Sequence, residues 1–493
     1  MPDPTIPLPQ STIALIERSV PVSTRHPGLQ LDKFVRPAER QEHQKQSLDE
    51  VCRTTGDDPL LRSLLARRQR WLQALSASTW RCTTTGPLTL HLARTSALEN
   101  AGICLHPVYG FVFLPGTGLK GMARAYAETV WFPSQYARAA HGEPADDQQQ
   151  RRAAAAWQKI QSTFGWAPHS DDGKSWRPRG IRRDKGDDSA AGSIVFHDAW
   201  PEQWPRLQQD IVNNHHTEYY QNEQAAPGDW ESPSLVSFLA LGPGETFCFA
   251  LSKRTADVDD ELLGLARQWL TAALAYEGAG AKTAAGYGSF RVAEGEAPRL
   301  DSPARATWEG TLELVTPAFL AGARQDADDC DLRPATLRGL LRWWWRTMHA
   351  GFVDSATLHR LEAAVWGDVN TGGAVRLSVM SAGPLQPVRY DAVKDDFHVT
   401  RNFQREHGLE NPPNPKTTQG LFYASYGMAD GQNLRHFLSP GTCWHIRLAA
   451  RRSSYGDSKA KNGKNRGASL PAAMVLEQAR FALALLCHFG GVG

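Results

Sequence analysis

One order of features occurs twice in this chain, and it limits the fold more than any single motif does. The first copy opens with a strand-like run, Pro87 to Leu92, and another from Val108 to Leu114. PGTGLKGMARAYAETVW follows, then Phe164-Gly165 and a glycine-led strand from Gly192 to Phe196. Its last parts are an apolar helix, Glu261 to Tyr276, and the glycine cluster GAGAKTAAGYGSF, Gly278 to Phe290. The second copy begins with a strand from Trp308 to Val315, and TLRG (336–339) stands where GLKG (118–121) stood. Trp366-Gly367 then precedes a glycine-led strand, Gly373 to Val379. A helix with Ser469 as N-cap and Pro471 near N1 runs through Leu485 and ends at FGGVG. Same order and similar spacing describe one supersecondary unit, duplicated.

The expected layout is an N-terminal arm and helix at 1–82, a first unit at 83–293, a linker at 294–307 and a second unit at 308–493. The arm's helix spans about Pro59 to Leu75, with Arg62, Arg67, Arg68 and Arg70 on a solvated side. Residues 140–190 are polar, with a basic run from Arg177 to Lys185, and read as a long loop or partly disordered insertion. Pro243-Gly244 supplies a hairpin turn between two alternating runs. The second copy stops at Gly493, inside its glycine cluster, without a closing strand. A sheet edge left unpaired is a liability, so a longer natural chain is expected.

The glycine cluster carries the chemistry. Gly278, Gly280 and their neighbours let backbone approach a ligand closely, and amides beside Lys282 form a cradle suited to phosphate. It is not a Walker A loop: Ala281 separates Gly280 from Lys282, and a helix rather than a strand precedes it. Gly116 and Gly118 open a helix whose first amides are accessible to an anion. Lys120 and Arg124 lie four apart on one of its faces, and Arg338, Arg342 and Arg346 repeat that spacing in the second unit. Trp343, Trp344 and Trp345 cannot all point one way on a helix.

Charge nearly balances, at a formal +2, so any surface for nucleic acid must be local. Seven scattered cysteines without a CxxC pair fit free thiols in a reducing cytosol, not zinc. Met1 is followed by prolines and Asp3, not by a secretory signal, and no apolar run approaches the roughly 20 residues of a membrane helix. His215 and His216 beside Glu218 suggest a general base, but adjacent residues diverge on either kind of element. Asp198 suits a turn cap better than an acid or metal ligand. Asp326, Asp328, Asp329 and Asp331 lack EF-hand spacing. The tract 451–466 is basic enough to touch an RNA backbone. No cofactor, metal site or catalytic residue is expected.

The LKG-type helix start, the Phe-Gly before a Gly-led strand and the glycine loop after a helix together resemble the RAMP superfamily of CRISPR effector subunits. HPGLQLDKF (26–34), HHTEYYQNEQAAPGDW, SFLALGPGETFCF and GAGAKTAAGYG resemble the sixth subunit of the type III-B (Cmr) complex. VTPAFLAGARQ with DLRPATLRGLLRWWWR resembles the first subunit of the same complex. The chain thus resembles a natural fusion of the two, with the second part cut at its glycine loop. The resemblance implies an α+β fold of tandem ferredoxin-like (RRM-like) domains with long insertions. It also implies a cytoplasmic, non-catalytic subunit that binds guide RNA and caps its 3′ end in antiviral defence. Its partners would be guide RNA, target RNA, a repeating backbone subunit and a small helical subunit. RNA would lie on Lys120, Gly121, Arg124, Gly278, Gly280, Lys282, Thr283, Tyr287, Arg338, Arg342 and Arg346. The alternative within the superfamily is an endoribonuclease that processes guide precursors or cleaves target RNA.

Overall fold

The computed structural model describes residues 6–36, 41–93, 98, 101–135, 146–166, 190–221, 223–224, 226–228, 230–389, 428, 435–455 and 468–491. The N-terminal arm is helical: α1 (Gln10–Ser19), α2 (Pro27–Asp32), α3 (Gln41–Cys52) and α4 (Asp58–Ala74). Asp57 caps α4 by accepting the Leu60 amide, and Leu61, Leu64 and Leu72 bury one face. Arg68 belongs to that buried face rather than to the solvated one, and it donates to the carbonyls of Cys248 and Asp198.

The first unit's sheet begins with β1 (Ser78–Thr84), so the boundary expected at 82/83 falls inside a strand. α5 (Gly116–Tyr126) continues through a π-helical turn, Ala127–Trp131, into α6 (Phe132–Ser134). α7 (Asp147–Phe164) leads through β2 (Gly165–Trp166) and β3 (Ala190–Ala191) to β4 (Ile194–Phe196) and β5 (Trp200–Pro201). β6 (Leu207–Asn214), α8 (Thr217–Tyr220), β7 (Ser234–Leu241), β8 (Thr246–Lys253), α9 (Asp260–Tyr276) and β9 (Phe290–Val292) complete it. The central sheet runs β4-β8-β1-β9, all antiparallel, with β5 also on β8. Numbering β1, β4, β8 and β9 as strands one to four, this is the 4-1-3-2 order of a ferredoxin-like unit. α5 and α9 cover one face, where Trp269 meets Trp131 and Phe164.

The second unit repeats the pattern. β10 (Arg305–Glu313), α10 (Pro334–His349), α11 (Ser355–Trp366) and β11 (Val375–Ser381) precede a β12 (Val388–Arg389) and β13 (His436–Phe437) pair. β14 (Cys443–Arg451), the pair β15 (Ser453–Tyr455) and β16 (Ala468–Leu470), and α12 (Ala472–Phe489) follow. Its sheet runs β11-β14-β10, which matches β4-β8-β1 strand for strand. A cation–π pair is duplicated as well: Arg267 lies 5.2 Å over Trp80, and Arg480 lies 5.6 Å over Trp308. Both units are α+β.

Several local expectations change. Residues 87–92 form no strand; Leu88 makes one isolated bridge to Leu241, and its burial comes from packing. Likewise 108–114 contributes only bridges at Val112 and Leu114. β7 and β8 are not a hairpin, because β7 pairs with β6 in a separate ribbon while β8 joins the central sheet. Much of the expected loop at 140–190 is α7, which buries Ala153, Ala156, Trp157, Ile160 and Phe164 at helical spacing; the basic run 177–185 lies outside the described residues. Ser469 sits in β16 and Pro471 is the N-cap of α12. α12, at 18 residues, is long and apolar enough to cross a membrane by length and composition. Its Val475, Ala479, Leu483 and Leu486 are packed into the second unit's core.

Candidate nucleic-acid interface

The start of α5 and the glycine loop line one cleft of about 710 Å³, walled by Leu90, His91, Pro115, Gly118, Met122 and Gly278 to Lys282. α5 can start here because Asp198, in the connection from β4 to β5, accepts the Gly116 amide at 2.7 Å. Gly118 and Gly121 are exposed, and a Cβ on either would meet nothing within 4 Å. Neither glycine has a positive φ. A helix disfavours glycine by about 1 kcal/mol relative to alanine, and no contact within the described chain offsets that.

Lys120 is half-buried, and burial lowers its pKa, assisted by the like charges of Arg254 and Arg124. Three cations thus share the helix start. Nothing in the local sequence pointed to Arg254, which extends from the end of β8. Arg124 is engaged: its Nε donates to Glu128 at 2.7 Å and its Nη1 to the Gly165 carbonyl at 3.4 Å.

The glycine loop is shaped by its own chain. Gly288 has φ +69°, and a Cβ there would sit 1.8 Å from the Ala279 carbonyl oxygen. Gly278, at φ +76°, has the Arg376 guanidinium where its Cβ would stand, 2.5 Å away. Gly280 closes on the Thr89 carbonyl, and Gly286 on Pro334 of the second unit. Lys282 itself takes a left-handed φ of 57° and holds its Nζ 4.9 Å from the Phe238 ring centroid. Burial lowers its pKa, with Asp210 pulling the other way. Thr283 opens a 3-10 turn, Thr283–Ala285. Tyr287 is buried and donates its hydroxyl to Asp210 at 2.5 Å; Arg333 pairs with the same carboxylate at 2.7 Å.

The arginines repeated along α10 meet the first unit. Arg338 donates to the carbonyls of Ala284 and Val375, both at 3.1 Å, and to that of Trp366. Its burial lowers its pKa, and the charge of Arg342 adds to the effect. Arg342 and Arg346 both donate to Glu362, at 2.8 and 2.9 Å, and that carboxylate is 1% exposed. Tyr219 donates to the other Glu362 oxygen at 2.9 Å, while Arg346 donates to Tyr220. α8 of the first unit is therefore clamped between two arginines and a buried acid. Arg376 donates to Ser289 at 2.6 Å, a further tie across the units.

The other candidates have structural surroundings. His216 stands at the N-cap position of α8 without a side-chain capping bond and lies 3.5 Å from Glu231; burial and the Arg346 charge lower its pKa. Asp326 and Asp329 form a reciprocal capping box. Among the three tryptophans, Trp345 is buried, Trp344 half-buried and Trp343 exposed. Within 451–466, Arg451 donates to Gly372 and Arg452 to Ser469, and residues from 456 lie outside the described set.

Comparison with known proteins meets this architecture twice. The RAMP superfamily model matches residues 81–291 and again 311–493, one match per unit. Over 244 residues the chain is 28% identical to the CRISPR system Cmr subunit Cmr6 of Pyrococcus furiosus, covering 44% of this chain and 68% of that protein. A type III-B Cmr-beta structure bound to cognate target RNA aligns at TM-score 0.34 and 15% identity, covering 52% of this chain and 73% of that one. The crystal structure of Cmr1 from Pyrococcus furiosus aligns at TM-score 0.22 and 17% identity, over 38% and 45%. With both of its units matched by the family model, the chain belongs to the RAMP superfamily.

Proposed function

We propose that the chain is a non-catalytic subunit that binds guide RNA and caps its 3′ end in a type III-B-like CRISPR effector complex. It would unite the roles of a sixth and a first Cmr subunit in one polypeptide. The observation that carries this reading is the cleft where the glycine-opened start of α5 meets the glycine loop, lined by Lys282, with Lys120 following the lining residues Gly118 and Leu119 on the same helix start. The exposed Gly118 and Gly121 leave room for a sugar-phosphate backbone against the helix. Arg124 pairs with Glu128 and Tyr287 with Asp210, while Arg338, Arg342 and Arg346 tie the second unit to the first, so these five serve the fold rather than the strand. Guide RNA, target RNA and the other effector subunits are the partners this role requires.

The test is fluorescence anisotropy of the purified chain with labelled single-stranded RNA across a salt series. Lys282→Ala and Lys120→Ala are each expected to weaken binding and to reduce the log–log salt slope by roughly 0.7, one phosphate contact on a single strand. Unchanged affinity and slope in both would make the cleft a structural junction only. Incubation of the same samples with guide precursor and guide-paired target checks the enzymatic alternative, since accumulating cleavage products would reassign the chain to the nucleases.

A further inference from the structure

A second concavity lies at the N-terminal arm, outside the cleft. It has a volume of about 570 Å³ and is lined by Leu64, Arg67, Arg68, Trp71, Phe196, His197, Asp198 and Trp200. Trp71, on α4, is 51% exposed although its indole is among the largest apolar groups in the chain. Its ring meets the His197 imidazole edge-on at 5.0 Å. His197 is itself fixed, with Nε2 2.9 Å from the Ser252 hydroxyl, and burial lowers its pKa. Trp200 closes another wall, under the Arg68 guanidinium at 5.0 Å. Four aromatic groups, Trp71, Phe196, His197 and Trp200, thus bound one opening, and only Trp71 presents much of its ring to solvent.

The charge around the opening is arranged by helical spacing. Arg67 lines the opening four residues before Trp71 on α4, and Arg70 stands just outside the lining, next to Trp71 in the chain; both arginines are exposed. Arg67 gives Nη2 to the Tyr109 hydroxyl at 3.1 Å. No ion pair to either arginine occurs among the described residues. Arg68 points inward, where it faces the Asp198 backbone carbonyl and side-chain charge. Among the described residues the outward arginines therefore have no counter-ion, and an anion that suits them would lie near the indole. Asp198 links this place to the cleft, since its carboxylate holds the first amide of α5.

We propose that this concavity is a nucleotide subsite, in which Trp71 stacks an RNA base and Arg67 and Arg70 take its flanking phosphates. The proposal rests on the RNA-binding reading above and extends the strand past the start of α5 onto the N-terminal arm. An apolar protein partner would need the indole but not the two arginines, so the charge favours RNA. Stacking accepts any base, because every base has a π-face.

The experiment measures anisotropy of the full chain with a length series of fluorescein-labelled oligouridylates, at several salt concentrations. Trp71→Ala is expected to weaken binding of the longer oligomers by about fivefold to a hundredfold, the range for one stacked base. It should leave the salt slope alone. Trp71→Phe should recover most of the loss, and Arg67→Ala should lower the slope by roughly 0.7. Lys120→Ala is the reference for the cleft. If Lys120→Ala weakens binding while Trp71→Ala and Arg67→Ala do not, the subsite is wrong and the cleft stands. Failure of the wild-type chain to bind oligouridylate overturns both. Loss of co-purification with effector subunits in Trp71→Ala, with RNA affinity intact, would make the concavity a protein contact and overturn the subsite.

Discussion

Glycines of the two kinds in this chain answer differently to the same substitution. Gly288 needs its positive φ and has a carbonyl oxygen in the space of a side chain. Gly288→Ala is therefore expected to lower the thermal midpoint, since a left-handed residue with a Cβ costs roughly 1–2 kcal/mol before any clash. Gly121 is a helical glycine in open space, so Gly121→Ala should stabilise the fold by about 0.5–1 kcal/mol. If RNA backbone lies against α5, that same variant should bind RNA less well. Melting and anisotropy on both variants decide the matter, and a Gly121→Ala protein that melts higher and binds as before would remove the helix start from the interface. The sequence shows many glycines but not this division. Dense glycine suggests close approach, and only the fold says whether the approaching group is the protein's own Thr89, Pro334 and Arg376 or something from outside.

At the scale of elements, the legible part was whatever repeated. The places of α4, α5 and α10 followed from spacing, whereas β1 falls largely in the segment read as the arm and β10 begins inside the expected linker. What misled was local pattern without its partner. Leu88, Leu90 and Leu92 alternate like a strand, yet only Leu88 bridges another strand and the segment packs as irregular chain. β7 and β8 are separated by a turn signal, but each pairs elsewhere. α7 was hidden by its polar composition, although Ala153, Trp157 and Ile160 already kept helical period. Arg338, Arg342 and Arg346 show that three cations share a face; they do not show what that face meets. Glu362 is the answer for two of them, and it comes from the following helix. Glu362→Ala should destabilise the protein by about 3–5 kcal/mol, because it leaves the buried Arg346 and half-buried Arg342 guanidinium groups without their carboxylate. Glu362→Gln should lose less, as its amide oxygen still accepts. Chemical denaturation of the pair gives the comparison, and equal small losses would mean the clamp contributes little.

For the whole molecule, acid should act through the imidazoles before it acts through the carboxylates. Burial lowers the pKa values of His106, His197 and His216 below the ordinary value near 6.5. Each therefore binds its proton less readily folded than unfolded, so the unfolded state carries more protons as pH falls. Stability conferred by these residues is present above about pH 6.5 and declines as pH drops through that value toward the folded pKa values. Thermal midpoints measured between about pH 7.5 and 5.5 should fall, and His216→Gln should flatten the decline if that residue contributes. A midpoint constant over the range would mean that the buried imidazoles are protonated as easily as free ones.

The connection between the units has a consequence for a protease. Ala293, Glu294, Gly295 and Glu296 are exposed and follow the last strand of the first unit, so the peptide there is open to cleavage. Yet a cut would release nothing at once. The Glu362 clamp on Tyr219, the Arg338 bonds to Ala284 and the Arg376 bond to Ser289 all lie elsewhere. A nicked molecule should leave a sizing column in the same volume as the intact one and fall into two fragments only in denaturant. The covalent link would then matter chiefly at birth, when it delivers both halves to the same place in equal number, and would be dispensable afterwards.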